Sequence, residues 1–232
     1  MSNISGHTIE ILYTFSMITI TDVREKIPLD VFDYQQLISC LTGYAKPRDR
    51  ITTMLATGNL IRIRKGLYVF GDKYRRNPVN RVMLSNLIYG PSYVSLDYAL
   101  SFYGLIPERV EDVTAVTTGQ AKHFITPFGV FSYKSLSPNR YVTGVSMKEE
   151  DGMGFLIATA EKAIIDKVWT DKRFHPKRPE DFEEFLFDDL RVDEKGFSNL
   201  NSEQFRRITE TFHSSKIEML AQFTAGRLAG SA

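Results

Sequence analysis

The residues with the clearest chemical potential are nine polar side chains between positions 46 and 76, of which eight are cationic and one is a threonine. Guanidinium and ammonium groups at this density can contact phosphates and, in a DNA groove, the edges of guanine bases. The candidate DNA-binding residues are Lys46, Arg48, Arg50, Thr53, Arg62, Arg64, Lys65, Arg75 and Arg76.

These cations dominate the distribution of charge along the chain. The 232 residues have a formal net charge of +1, whereas residues 44–81 contain ten Lys or Arg and two acids, a net charge of +8. The remainder therefore carries a net charge of −7. Positive charge segregated in this way is the electrostatic footprint of a polyanion-binding surface. A solvated basic face without a ligand is the structural alternative.

A helix is predicted to position the first of these cations. Pro47 can begin a helix at its first turn, and Gly58 can end it in the left-handed conformation. Ile51, Met54 and Leu55 then share one apolar face. The cations near the start of the helix are left on or near the opposite, solvent-facing side.

A basic β-hairpin is predicted directly after this helix. In residues 61–70 apolar positions alternate with arginines and aromatic residues, and Lys65-Gly66 supplies a turn residue that tolerates positive φ. Tyr68 and Phe70 are expected to pack beneath the hairpin and not to stack on bases. The hairpin therefore predicts a two-stranded wing.

A second helix is predicted before the basic one. Asp33 is the expected N-cap of a helix within residues 31–41, and a glycine-containing turn at residues 42–45 joins the two helices. Residues 1–27 are also predicted to be helical. The predicted fold of residues 1–73 is thus a winged helix-turn-helix DNA-binding domain with an N-terminal helical extension.

The rest of the chain is predicted to form a separate domain. Apolar periodicity stops within residues 71–78, which indicates a linker. Residues 78–232 are predicted to form an α+β domain, with a small antiparallel sheet built from strands within residues 113–158 and helices collected at the C-terminal end. The fold class predicted for the whole chain is α+β.

No catalytic or metal site is predicted. Lys162, Asp166 and Lys167 are expected on the solvent side of a helix, and Glu161 with Asp166, or the acidic run 149–151, could in principle hold Mg²⁺. Five residues of separation place Glu161 and Asp166 about 140° apart round a helix. The acidic run lies in a predicted turn. The chain is therefore expected to be a non-enzyme without cofactors.

Composition indicates a protein of a reducing compartment. Cys40 is the single cysteine, so an internal disulfide is excluded, and its neighbours suggest a buried position. No apolar run reaches the roughly 18 residues of a membrane-spanning helix. The hydrophobic fraction of 43% and the charged fraction of 25% are ordinary for a globular domain. The predicted location is cytoplasmic, with no membrane partner.

Several segments resemble a known family. VFDYQQLISCL and GNLIRIRKGLYVF are similar to the N-terminal winged-helix domain of the abortive-infection antitoxins of type IV toxin–antitoxin systems, the AbiEi-like family. SYVSLDYALSFYGLIPE, at residues 92–108, and ATAEKAIIDKVW, at residues 158–169, resemble the antitoxin domain of that family. The order and spacing of these segments over residues 31–170 carry the resemblance.

The resemblance implies a transcription regulator with two roles in phage defence. It would be an autorepressor that binds inverted repeats of double-stranded DNA in its own promoter. It would also be an antitoxin that neutralises a nucleotidyltransferase-like toxin without requiring a stable complex. Two alternatives remain: a winged-helix regulator whose C-terminal domain senses a ligand or protein partner, and an enzyme that delivers a carboxylate-metal site to nucleic acid.

Overall fold

The computed structural model describes residues 18–150 and 152–229. The described chain forms two compact units: residues 18–62 with 66–76, and residues 63–65 with 77 onward. Most of the helical extension predicted for residues 1–27 lies outside the described residues. The predicted mixed α+β class is confirmed.

The N-terminal part of the chain follows the order helix, strand, helix, helix, strand, strand. Its elements are α1 (Ile20–Lys26), β1 (Val31–Asp33), α2 (Tyr34–Cys40), α3 (Pro47–Ala56), β2 (Leu60–Arg64) and β3 (Leu67–Phe70). The strands form one sheet in the order β1-β3-β2, and β1 runs antiparallel to β3 with Phe32 opposite Tyr68.

Local sequence signals explain where these helices begin and end. The Asp33 side chain accepts a hydrogen bond from the Gln36 backbone, and the Gln36 side chain reciprocates, so the predicted N-cap of α2 is confirmed. Pro47 occupies the first turn of α3. Gly58 follows that helix with φ +70°, a conformation that favours glycine.

An apolar core holds the three helices against the small sheet. Leu37 of α2, Met54 of α3 and Phe70 of β3 are almost fully buried in one cluster. Tyr68 and Phe70 are buried, as predicted for the underside of the hairpin. Cys40 is buried and free, which confirms the prediction of a packed thiol.

The second unit is built on a larger sheet. Its elements are α4 (Arg81–Ile88), β4 (Ser92–Val94), α5 (Leu96–Phe102), β5 (Val113–Thr117), β6 (Lys122–Thr126), β7 (Gly129–Ser135), α6 (Pro138–Tyr141), β8 (Val145–Glu150), β9 (Met153–Ala158), α7 (Ala160–Thr170), α8 (Asp181–Glu183), a π-helical stretch (Glu184–Asp189), α9 (Glu194–Ser198), α10 (Ser202–Glu210) and α11 (Ser215–Ala229).

This larger sheet corrects the prediction of a small antiparallel sheet. It has six strands in the order β6-β7-β5-β4-β9-β8. The pairs β5–β7 and β4–β9 are parallel, and the other three pairs are antiparallel. The hairpin signals in the sequence are local, whereas parallel pairing joins strands that are distant in sequence and is set by tertiary packing. The mixed topology therefore has no local signature.

Helices cover both faces of the larger sheet. On one face the Tyr133 hydroxyl of β7 donates a hydrogen bond to the Ser85 carbonyl of α4, 2.7 Å away. On the opposite face the Tyr93 hydroxyl of β4 contacts α7. No helix among the described residues combines the length and the apolar character needed to cross a membrane.

Candidate nucleic-acid interface

The exposed face of α3 carries fewer free cations than its sequence suggests. Lys46 and Arg48 are exposed at the N-terminal end, and Thr53 is exposed one turn further on. Asp49 shares this face and partly offsets its positive charge. The Thr53 hydroxyl donates a hydrogen bond to the Asp49 carbonyl at 3.0 Å, so it is already engaged with its own helix.

Arg50 is turned away from the exposed face of α3. Its Nε and Nη2 atoms both donate hydrogen bonds to the Ile18 carbonyl, at 3.2 and 2.9 Å. The side chain is only partly exposed. Arg50 therefore anchors the segment that precedes α1. It would influence a bound ligand by holding α3 in position and not by direct contact.

The hairpin presents three cations to solvent. Arg62 and Arg64 lie on β2, Lys65 lies in the turn, and all three side chains are exposed. The Arg64 Nη1 atom donates a hydrogen bond to the Lys65 carbonyl at 3.1 Å. None of these three cations forms an ion pair within the described residues, and their charge is available to an anionic ligand.

The last two predicted DNA-binding residues are engaged within the N-terminal unit. Arg75 forms an ion pair with Asp72. Arg76 donates its backbone N–H to the Asp30 carboxylate at 3.1 Å and its Nη1 to the Pro28 carbonyl at 3.3 Å. These contacts tie residues 72–76 to the loop after α1, although the Arg76 side chain stays largely exposed.

The N-terminus of α3 adds little backbone donor capacity to these side chains, because Pro47 has no N–H and the Asp49 N–H donates to the Lys46 carbonyl at 3.2 Å. Its N-cap residue is Lys46, whose side chain makes no capping hydrogen bond, and Pro47 follows it. A helix N-terminus combines N–H groups that lack partners within the helix with a partial positive charge, so it attracts phosphate. The exposed side chains of Lys46 and Arg48, and not the backbone of this helix end, are the groups suited to a phosphodiester backbone.

A buried polar network in the second unit was not predicted. Lys162 and Asp166 of α7 have no exposed side-chain area, and Lys162 Nζ lies 2.8 Å from Asp166 Oδ1. The Tyr93 and Ser95 hydroxyls donate to Asp166 Oδ2 at 2.8 and 2.9 Å. Lys162 Nζ also donates to the Arg140 carbonyl at 2.6 Å. Asp166 thus joins α7 to the junction of β4 and α5.

The network is embedded in aromatic surroundings. Lys162 Nζ lies 4.5 Å from the centre of the Phe212 ring. Burial lowers the pKa of Lys162 and raises the pKa of Asp166, in each case against the opposing effect of the partner's charge. Burial, followed by the nearby Asp166 charge, also raises the pKa of the Tyr93 hydroxyl well above its ordinary value.

The prediction that Lys162 and Asp166 face solvent is wrong, and the reason is the depth at which α7 is buried. Residues 161–166 are all buried, so this helix has a polar stripe inside the protein. A signal was present in the sequence, because Ile165 and Trp169 fall on the same helical face as Lys162 and Asp166. Two large apolar residues on a polar face indicate burial of that face.

Among the described residues no metal-binding cluster was found, and neither a family model nor a curated protein matches the chain. Within residues 18–150 and 152–229 no three or more His, Cys, Asp or Glu side chains converge in a way that could hold a metal ion. Asp151, part of the acidic run considered for Mg²⁺, lies outside the described residues. No protein-family model matches the chain, and a search of curated proteins finds no match.

Proposed function

We propose that the N-terminal part of the chain is a winged helix-turn-helix that binds double-stranded DNA, with α3 as the recognition helix and the β2–β3 hairpin as the wing. The element order and the buried apolar side of α3 support this assignment. The observation that carries it is the exposure of unpaired cations at two successive elements, Lys46 and Arg48 at the N-terminal end of α3 and Arg62, Arg64 and Lys65 on the hairpin.

The contacts of each cation suggest different roles on DNA. Arg48 is the side chain best placed to reach guanine edges, since it is exposed near the start of α3. The hairpin cations would contact flanking phosphates or a narrow minor groove. Arg50, held by the Ile18 carbonyl, would position α3 and not contact bases.

The proposal is tested with the triple variant Arg48→Ala, Arg62→Ala, Arg64→Ala. We expect weaker binding to DNA from upstream of the gene, and a salt dependence whose slope falls by about 0.9 for each phosphate that the variant no longer neutralises. Removal of a base-reading arginine should cost roughly 1–3 kcal/mol in binding free energy. Affinity measured by fluorescence anisotropy over a range of salt concentrations gives both quantities.

A matched control removes the same charge elsewhere. Arg109, Arg178 and Arg206 are exposed arginines of the second unit, and their triple replacement by alanine should leave DNA affinity and salt slope within experimental error. Equal weakening in both triple variants would mean that net charge alone controls binding. Wild-type affinity in the first variant would exclude the proposed surface.

We further propose that this regulator is the antitoxin of a type IV toxin–antitoxin system and represses its own operon. The resemblance of residues 92–108 and 158–169 to the antitoxin domain supports this part. The two segments also meet in the structure, since Tyr93 and Ser95 of the first donate hydrogen bonds to Asp166 of the second. The resemblance, and not this contact, supplies the antitoxin function.

Co-expression tests the antitoxin proposal. A neighbouring gene that encodes a nucleotidyltransferase-like protein is expected to arrest growth, and co-expression of the full chain should restore growth. The Arg48, Arg62, Arg64 triple variant should still restore growth while losing repression of a promoter reporter, which separates the two activities. Persistent growth arrest with the full chain would rule out the antitoxin function.

A second candidate is a winged-helix regulator whose second unit senses a small ligand. The observation that favours it is a basic pocket beside α7, lined by two lysines that have no ion pair within the described residues. This candidate predicts that a small anion changes DNA affinity and that no toxin is encoded nearby.

A further inference from the structure

A cavity of about 280 Å³ opens beside α7, on the face of the six-stranded sheet that α5 and α7 cover. It lies entirely within the second unit. Side chains come from the start of α5, from strands β5 and β7, and from the segment that follows α7. The lining includes Leu96, Thr114, Ser132, Lys134, Lys167 and Lys172.

The lining of this cavity is cationic in a part of the chain that is otherwise acidic. Residues 77–232 contain 18 Lys or Arg and 21 acids, a net charge of −3. The cavity nevertheless gathers four cations, which include Arg173, and two acids, Asp97 and Asp171. Local positive charge against an opposite background indicates a site that selects anions.

Both acids of the cavity are already engaged. Asp97 forms an ion pair with Lys167. Asp171 accepts the backbone N–H groups of Arg173 and Phe174, and these bonds hold its pKa below the ordinary value despite the opposing effect of burial. Asp171 also forms an ion pair with Arg173, 3.4 Å away. Each carboxylate of the cavity is thus paired with one cation, Lys167 or Arg173, and two lysines are left over.

Lys134 and Lys172 remain without a counter-charge. Both ammonium groups are exposed, and neither forms an ion pair within the described part of the chain. Ser132 lies opposite Thr114 in the β5–β7 register, on the sheet face that also carries Lys134. The Ser132 hydroxyl makes no hydrogen bond within the described residues, so it is a further donor for an anion.

The backbone beside the cavity is strained. Leu96 begins α5 with φ 60°, a left-handed conformation that is unfavourable for a non-glycine residue, and its side chain is buried. Strain of this kind persists where the surrounding structure enforces it, and it is concentrated at ligand sites. Here the preceding Ser95 is fixed by its hydrogen bond to Asp166. The buried network thus sets the shape of this side of the cavity.

We propose that this cavity binds a small phosphate-bearing anion. Ammonium groups with an adjacent hydroxyl donor suit phosphate oxygens. The volume lies near the lower limit of small-molecule sites, roughly 300 Å³, which fits one or two phosphate groups and not a long chain. Free pyrophosphate and the phosphates of a nucleoside triphosphate share this chemistry, and the test distinguishes them.

The test is calorimetric titration of the full chain with sodium pyrophosphate and with ATP in a metal-free buffer at constant ionic strength. The variant Lys134→Ala, Lys172→Ala should bind at least tenfold more weakly than the wild type. The control Lys177→Ala, Lys195→Ala removes two exposed lysines from outside the cavity and should stay within twofold. ATP binding more than tenfold tighter than pyrophosphate would identify a nucleotide as the ligand class.

Binding should be independent of the DNA-binding surface. The Arg48, Arg62, Arg64 triple variant should retain full pyrophosphate affinity, so failure of the DNA proposal and failure of this one can be told apart. The variant Lys134→Gln, Lys172→Gln provides a second test that removes the charge and keeps a polar side chain only one atom shorter, with folding checked by circular dichroism.

Three outcomes would overturn the proposal. The first is no binding of either anion to the wild type at millimolar concentration. The second is equal weakening in the cavity variant and in the control. The third is tighter binding of a short oligonucleotide than of pyrophosphate at the same cavity. That result would mean that the ligand is a nucleic acid and not a small anion.

Discussion

Asp166 is a carboxylate with no exposed surface, and its folded environment changes its proton affinity. Burial raises its pKa above the ordinary 3.8, even though Lys162, Tyr93 and Ser95 favour the charged form. Asp181 has the opposite shift, because the backbone N–H groups of Lys177 and Arg178 donate to its carboxylate and lower its pKa. Two aspartates of one unit therefore respond to pH in opposite directions.

The opposite pKa shifts of the two aspartates predict opposite pH dependences of stability for the variants Asp166→Asn and Asp181→Asn. Between the ordinary pKa and the raised value, folded Asp166 holds more protons than the unfolded chain does, so wild-type stability falls relative to Asp166→Asn as pH rises. For Asp181 the folded state holds fewer protons, and the stability that it contributes is lost as pH falls below 3.8 through the lowered value.

Urea unfolding at a series of pH values from about 3 to 6 measures both effects. The difference in unfolding free energy, wild type minus variant, should decrease with rising pH for Asp166→Asn and increase for Asp181→Asn. Each variant is the control for the other, since both replace an aspartate by an asparagine. Parallel slopes, or a reversed sign for Asp166, would mean that the ion pair outweighs burial.

At the scale of single residues the sequence predicts the surface better than the interior. Exposure of Lys46, Arg48 and Arg62 follows from the amphipathic pattern and is found in the structure. The position of Arg50 could not be predicted, because its partner is the Ile18 carbonyl, 32 residues away in the sequence. For Lys162 the apolar neighbours on its helical face signalled burial, whereas its contacts with the Arg140 carbonyl and the Phe212 ring come from separate segments and could not be predicted.

At the scale of elements, the link between α10 and α11 contains a strained residue. His213 has φ 47° and an exposed side chain, a left-handed conformation that favours glycine. We expect His213→Gly to raise the unfolding free energy by roughly 0.5–1 kcal/mol. The relief of backbone strain then exceeds the greater freedom of glycine in the unfolded chain.

Thermal or urea unfolding measures this gain. His175→Gly is the matched control, because His175 is also exposed and lacks a positive φ. That control should give no gain, since only the added freedom of the unfolded chain remains. A decrease in stability in His213→Gly as large as that in His175→Gly would contradict the strain argument.

Elements with strong local signals were predicted, and elements that depend on distant partners were not. The bounds of α3 follow from Pro47 and Gly58, and β5 coincides with the predicted strand at residues 113–117. The strands β1 and β4 have only three residues each, too few for alternation to be visible. Their order in the sheets depends on pairing across long stretches of sequence.

At the scale of the whole molecule, the distribution of charge in the folded structure is more local than the net charges of the basic window and the acidic remainder suggest. The basic window at residues 44–81 loses part of its effective charge to internal contacts of Arg50 and Arg75. The acidic remainder contains a basic cavity of its own. The sequence predicts the basic window. It does not predict the basic cavity, because the cations of the cavity come from β7, α7 and the segment after α7 and are brought together only by the fold.

The buried network also constrains how the chain can change over generations. If Asp166 alone were exchanged for a residue without a side-chain oxygen, Lys162 would be left without its counter-charge, and the hydroxyls of Tyr93 and Ser95 would be left without their acceptor. Substitutions at these four positions are therefore expected to depend on one another. Two stretches of sequence more than 60 residues apart are expected to be kept or replaced together in any lineage that descends from this protein.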